Sequence, residues 1–190
     1  MVAALCKELI MRKEEAVGSE LQTIYLGGGT PSILTYDELK QLFDTIYSYY
    51  KVSPTAEITI ECNPDDFFRL HTPEQLLQQL TSLGINRLSL GVQSFFEEDL
   101  RLMNRVHTTT QVTTLLPIAS QYFDNITIDL IYGIPMMSNE RWKENIYKAL
   151  SFEIPHISAY ALTVEEKTAL YRFIATGKIP PIDDTQAYTH

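Results

Sequence analysis

Apolar and polar positions along this chain follow two periods. Short runs of period two are separated by longer stretches in which apolar residues recur every three or four positions. The period-two runs are rich in Ile, Val, Leu and Thr. They fall at 23–27, 57–62, 87–93, 126–132 and 156–162, about thirty residues apart. Helical patterns fill the gaps at 36–50, 73–83, 97–104, 110–122 and 139–151, with another at 2–16 and one at about 165–175. Several helix starts are marked: Thr35 with Glu38 three residues on, Thr72 before Pro73, and Ser138 before Asn139 and Glu140. A hydroxyl at such a position accepts from the free N–H groups of the first turn. Strands alternating with helices predict parallel strands joined by right-handed crossovers.

The strand faces separate a barrel from a doubly wound sheet. Thr59 and Glu61 share one face of their strand, and Ile58, Ile60 and Cys62 the other. Arg87, Ser89, Gly91 and Gln93 oppose Leu88, Leu90 and Val92. Thr127 and Asp129 oppose Ile126, Ile128 and Leu130, and Ser158 and Tyr160 oppose Ile157, Ala159 and Ala161. Strands buried on both faces read as near-continuous apolar runs. One polar face on strand after strand fits a curved, barrel-like sheet whose lumen holds a ligand.

Behind the first strand stands Gly27-Gly28-Gly29-Thr30-Pro31-Ser32. Three glycines remove every side chain where backbone meets a ligand, Pro31 fixes the chain direction, and Ser32 or Thr35 can cap the next helix. A tight structural turn is the competing reading. Glu61, Gln93 and Asp129 sit near the C-terminal ends of their strands on the polar face, the end at which barrel sites form. A hydrogen-bond network serving stability alone is the alternative for them. Arg105 could reach the same rim from a helix end; a solvated surface charge is its default. A dinucleotide fold is excluded, because the turn lacks the third glycine of that fingerprint and the strand polarity is wrong.

The net charge of −9 argues against a nucleic-acid groove. No apolar run is long enough to span a membrane and no signal-peptide pattern is present, so a soluble, cytoplasmic protein is expected. At 190 residues, with no repeat or long linker, the chain is expected to form one domain over 1–190.

Six motifs occur in order: Gly27 to Ser32, Glu61-Cys62-Asn63-Pro64, Arg87 to Phe95, Asn104-Arg105-Val106-His107, Asp129 to Pro135, and Ser158-Ala159-Tyr160. Together they resemble the radical S-adenosylmethionine (SAM) proteins of the oxygen-independent coproporphyrinogen III oxidase family. The Gly-Val-Gln-Ser-Phe and Ser-Ala-Tyr forms are more similar to its heme-chaperone branch. The resemblance implies an α/β fold, a partial (β/α)6 TIM-like barrel of the radical SAM type, with the first strand missing from this chain. It implies that Gly28, Gly29 and Thr30 receive the amino group of SAM. It also implies that Glu61, Gln93, Arg105 and Asp129 surround the cofactor, and that Thr163 meets it through the backbone. Carbonyl and hydroxyl acceptors suit an ammonium, and a guanidinium suits a carboxylate.

Family members also hold a [4Fe–4S] cluster on a Cys-x-x-x-Cys-x-x-Cys loop, and that spacing is absent here. Cys6 and Cys62 are the two cysteines. Cys62 is expected to be an inert buried thiol, and Cys6 to lie on an amphipathic helix against the sheet. The cluster ligands are therefore expected in the intact protein and not in this chain, which reads as a truncated core inactive alone; a natural paralogue without the cluster is the alternative. The exposed sheet edge is expected to favour self-association. The intact protein is expected either to oxidise a porphyrinogen or to bind heme and pass it to an acceptor protein. Another radical SAM substrate, or acid–base chemistry by Glu61 and Asp129, is a third possibility, weakened because no His or Lys is placed to partner them. Among His71, His107, His156 and His190, His107 is best placed to meet a ligand, although a satisfied structural histidine is the heavier expectation. Tyr47, Tyr49 and Tyr50 read as the buried edge of a helix.

Overall fold

In the computed structural model, which describes residues 1–70 and 72–190, five strands form one parallel sheet. They are β1 Leu21–Leu26, β2 Val52–Cys62, β3 Arg87–Gln93, β4 Asn125–Tyr132 and β5 His156–Ala161, hydrogen-bonded in chain order. Sequential order is that of a barrel wound in one direction; a doubly wound sheet reverses its order at a switch point. The sheet curls into a half-barrel.

Eight α-helices accompany it among the described residues: α1 Val2–Arg12, α2 Tyr36–Tyr49, α3 Pro73–Ser82, α4 Glu97–Leu102, α5 Thr109–Ala119, α6 Asn139–Ser151, α7 Ala169–Ala175 and α8 Asp184–Thr189. The marked caps form. Thr35 makes a capping box with Glu38, Thr72 makes one with Gln75, and the Ser138 hydroxyl accepts from the Arg141 N–H. Thr108 and Gln111 make a further box that opens α5. None of these helices is long and apolar enough to cross a membrane.

The core lies between the helices and the convex face of the sheet. Ile58, Ile60 and Cys62, Leu88, Leu90 and Val92, and Ile126, Ile128 and Leu130 are all buried there, against Leu39, Phe43, Leu77, Leu80, Leu115 and Leu116. Each such side chain contributes about 1.5–3 kcal/mol on burial. A slip of one residue would turn Thr59, Ser89 and Thr127 into that layer, so the alternation fixes the register.

Several boundaries differ from expectation, each for a local reason. β2 begins at Val52 and carries Pro54; its register with β1 jumps from Leu21↔Val52 to Thr23↔Glu57, and the irregularity accommodates a residue with no N–H. β1 stops at Leu26, so Gly27 belongs to the turn. α1 gives way to a 3₁₀ turn over Lys13–Ala16, and α4 ends before Asn104, which adopts φ 54° as a left-handed helix stop. α5 contains Pro117 and ends at Ala119; α7 starts only at Ala169. The 3₁₀ turns Pro31–Ile33 and Pro64–Phe68 and helix α8 have no counterpart in the periodic pattern.

Two side-chain expectations are corrected. Tyr47 and Tyr49 are not a buried edge: they are 48% and 44% exposed, Tyr47 stacked on Phe43 and Tyr49 beneath Lys13. Tyr50 anchors α1 by donating its hydroxyl to the Leu9 carbonyl. Cys6 is buried, but against α2 through Val2 and Leu42 and not against the sheet.

Candidate functional site

The concave face of the sheet is polar in layers. At the N-terminal end, Arg87 bridges Thr59 and Thr127, lies 3.9 Å from Glu57, and stands near the His156 ring. His156 Nδ1 is 3.0 Å from the Thr127 hydroxyl. This layer lies at the N-terminal end of the lumen and engages His156 in hydrogen bonds between neighbouring strands.

One layer higher, toward the C-terminal ends, come Tyr25, Glu61, Ser89 and Asp129. The Tyr25 hydroxyl donates to Glu61 Oε1 at 2.8 Å, and the Gly28 N–H donates to Glu61 Oε2 at 3.0 Å. One carboxylate thus ties β1, β2 and the glycine turn together. Gly27 makes this possible: a Cβ there would lie 2.6 Å from Tyr25 Cε1 and 2.8 Å from Glu61 Oε1. Gly28 and Gly29 adopt φ 76° and 78°, a region that favours glycine, and open space surrounds the position of a missing Cβ on each. Ser89 donates to Asp129 Oδ2 at 3.5 Å. Burial, reinforced by the negative charge of Glu61, pushes the Asp129 carboxyl above the usual carboxylate range. Burial and the hydrogen bond to Glu61 push the Tyr25 phenol above its ordinary value.

The rim is built from four loops. Behind the glycine turn, Thr35 is the residue of the expected pair that caps the next helix, and the Ser32 hydroxyl instead donates to buried Asp66 at 2.5 Å. Asp66 also accepts from the Asn63 N–H, and the Asn63 amide donates to the Thr30 hydroxyl at 3.3 Å. Gln93 ends β3 at φ 66° with its amide folded over Gly91, where a Cβ would approach Gln93 Nε2 to 2.8 Å. Arg105 follows α4. Its guanidinium keeps an accessible surface, yet the packed atoms around it lower its pKa by desolvation against the opposing pull of Asp65.

These groups enclose a cleft of about 190 Å³, lined by Gly29, Thr30, Glu61, Gln93, Arg105 and Asp129 together with Cys62, Asn63, Ser89 and Gly91. Gly28 adjoins it through its bond to Glu61. Thr163 is not among the lining residues: it is exposed, two residues beyond the end of β5. Of the residues that sequence reasoning left out of the site, Ser89 and Gly91 carried a signal, lying on the polar face of β3. Tyr25 was marked only by sharing a strand face with Gly27, and Asn63 only by following Glu61 closely.

The histidines stand apart from the cleft. His107 is buried, its Nε2 3.0 Å from the Val92 carbonyl, and burial keeps its ring below the ordinary histidine pKa. His190 contacts Gly133 and Trp142. His71 lies outside the described residues. Both cysteines are free and buried in different parts of the fold, and desolvation pushes the Cys62 thiol far up. Among the described residues, no group of three or more His, Cys, Asp or Glu side chains could hold a metal ion.

Comparison with known proteins bears on this geometry. Residues 5–148 match the Radical SAM superfamily. The chain is 37% identical over 182 residues to the heme chaperone HemW of Bacillus subtilis, covering 94% of this chain and 47% of that protein. It is 33% identical over 168 residues to the Escherichia coli HemW, covering 88% and 42%. Among solved structures it superposes on the E. coli radical SAM enzyme coproporphyrinogen III oxidase, HemN, with a TM-score of 0.83 at 28% identity, covering 98% of this chain and 42% of that one. The chain therefore spans less than half the length of these relatives. With a match across most of its length and five parallel strands in sequential order, the chain belongs to the Radical SAM superfamily.

Proposed function

We propose that the cleft binds S-adenosylmethionine and that the intact protein acts in heme metabolism, as a carrier that binds heme and passes it to an acceptor protein. The observation that carries the first part is the convergence of the glycine turn, Glu61, Gln93, Arg105 and Asp129 on one cleft.

The donor set fits SAM in kind. The carbonyls of Gly28 and Gly29 and the hydroxyl of Thr30 suit an ammonium, with no side chain on the glycines to obstruct it. Arg105 suits the methionyl carboxylate. Asp129 and Glu61 supply carboxylate oxygens for ribose hydroxyls and for the positive charge of a sulfonium. Bound SAM would supply radical chemistry in the intact protein, where an external one-electron donor would split it into methionine and a hydrogen-abstracting adenosyl group. What this chain's own groups contribute is placement: Tyr25 holds Glu61, Glu61 holds the glycine turn, and Asn63 holds Thr30. A [4Fe–4S] cluster does not fit the residues of this chain, because its two cysteines are buried and held in separate parts of the core.

The heme reading rests on relatives named as heme chaperones at 32–37% identity. Porphyrinogen oxidation is the second reading, favoured by the structural likeness to HemN. His107 is expected to play no part in ligating heme, since its ring is buried with Nε2 on the Val92 carbonyl and Nδ1 3.8 Å from Asp65. The test is SAM titration by calorimetry, then heme titration and a porphyrinogen decarboxylation assay on the intact protein. Saturable SAM and heme binding with no decarboxylation supports the carrier; turnover of a porphyrinogen supports the oxidase; failure to bind SAM removes the proposal.

A further inference from the structure

Gln93 is held in a conformation that its own sequence disfavours. The Ser94 N–H donates to the Val92 carbonyl across it at 2.8 Å, with Gln93 at φ 66°: a γ-turn of the rare, strained hand on a residue that is not glycine. At the same place the pairing of β3 with β4 loses register between Leu90 and Gln93. Such a turn persists only where its surroundings over-determine it.

The surroundings here are polar and buried, behind the residues that line the cleft. The Ser94 hydroxyl, fully buried, donates to Asp99 Oδ2 at 2.6 Å and accepts from the Phe96 N–H at 3.1 Å. The Phe95 N–H donates to Asn145 Oδ1 at 2.7 Å, and this accepting side chain on α6 is itself fully buried. Arg141, also on α6, donates to Asp99 Oδ1 at 3.1 Å. Asn145 Nδ2 has no hydrogen-bond partner among the described residues. An orphaned buried donor is destabilising, so Asn145 is better explained by the acceptor it presents to the turn than by stability. Asp99 lies on α4, whose end carries Arg105 through the Arg105 N–H to Leu100 carbonyl bond.

We infer that Ser94, Asp99 and Asn145 are positioning residues, a buried clamp that fixes the strained turn so that the Gln93 amide and the Arg105 guanidinium face the ligand. The role of the clamp toward SAM rests on the proposed function; its hold on the turn does not. No clamp residue is among those lining the cleft.

The experiment compares the intact wild-type protein with its Ser94→Ala, Asn145→Leu and Leu80→Ala variants. Leu80 is a fully buried core residue at the far end of α3 and serves as a cavity control. Three quantities are read: melting temperature, SAM affinity by calorimetry, and hydrogen exchange of the Ser94 amide. Both clamp variants are expected to weaken SAM about tenfold and to speed Ser94 exchange well beyond the control, whose affinity stays near wild type. The result that overturns the inference is an affinity loss that only follows melting temperature, with Ser94 exchange no faster than in Leu80→Ala. If the wild type does not bind SAM, the proposed function fails, and Ser94 exchange alone decides the clamp. Should Asn145→Leu not fold, Ser94→Ala carries the test.

Discussion

Replacing Gly27 by alanine perturbs the cleft through one methyl group. The new Cβ would lie 2.6 Å from Tyr25 Cε1, 2.8 Å from Glu61 Oε1 and 3.0 Å from Glu61 Cδ. The Glu61 carboxylate must swing away, breaking its bonds to the Tyr25 hydroxyl and the Gly28 N–H. Hydrogen bonds to a charged group contribute about 1.5–3 kcal/mol each when buried. Both lie at an exposed rim, so roughly 1–2 kcal/mol together is expected after solvent screening. That loss should fall on the placement of the glycine turn and leave the core intact. Converted at tenfold per 1.4 kcal/mol, SAM should bind roughly five- to thirtyfold more weakly. Calorimetry measures the affinity. NMR titration of ¹³C-labelled tyrosine follows the Tyr25 phenol, which should move back toward its ordinary pKa as it loses Glu61, one of the causes that raise it. Wild-type affinity together with an unchanged Tyr25 titration would refute the reasoning.

Other predictions concern the same groups and their neighbours. Asp129 has its carboxyl raised by burial, so the folded state binds that proton more tightly than the unfolded one. Its contribution to stability is full below the ordinary carboxylate pKa of about 3.9 and is lost as pH rises through the folded value. Asp129→Asn should therefore melt higher than wild type at pH 7, the gain fading on acidification, while SAM binding weakens; melting curves across pH read the first and calorimetry the second. His107 is lowered by burial, so the stability it contributes is present above the ordinary histidine pKa of about 6.5 and is lost as pH falls through the folded value. Between pH 7 and 5 the wild type should lose melting temperature faster than His107→Gln, and equal slopes would contradict the buried neutral ring. No described strand pairs with the outer edge of β1, where Gln22, Thr23 and Tyr25 are exposed. Concentration-dependent association in light scattering is expected there, weakened by Thr23→Lys; a clean monomer at high concentration would count against it.

How far the sequence exposed this architecture can be judged at particular residues. Strand faces were legible because Ile58, Leu88 and Ile126 must reach helices while Thr59, Ser89 and Thr127 must not, and period two records that directly. The caps at Thr35, Thr72 and Ser138 were legible because a hydroxyl there has one dominant use. Glu61, Gln93 and Asp129 could be placed together because parallel strands bring their C-terminal ends to one side. The Glu61–Tyr25–Gly28 tie was not legible, since it depends on the shear between β1 and β2 that the irregularity near Leu21 sets. Nor was the positive φ at Gln93: nothing in a glutamine announces a γ-turn, and the clamp that sustains it comes from Asn145, fifty positions beyond Phe95. Thr163 lies outside the cleft lining: Leu162 still pairs with Tyr132 of β4, and the exposed Thr163 follows it.

The most direct test of the account is a SAM titration followed by amide NMR of the glycine turn. If the cleft is the cofactor site, saturable shifts should appear at Gly28 and Gly29 and at the Gln93 side-chain amide, and Asp129→Asn should weaken all of them together. Shifts that map elsewhere, or none at saturating SAM in the folded intact protein, would contradict the claim that these residues form the cofactor site.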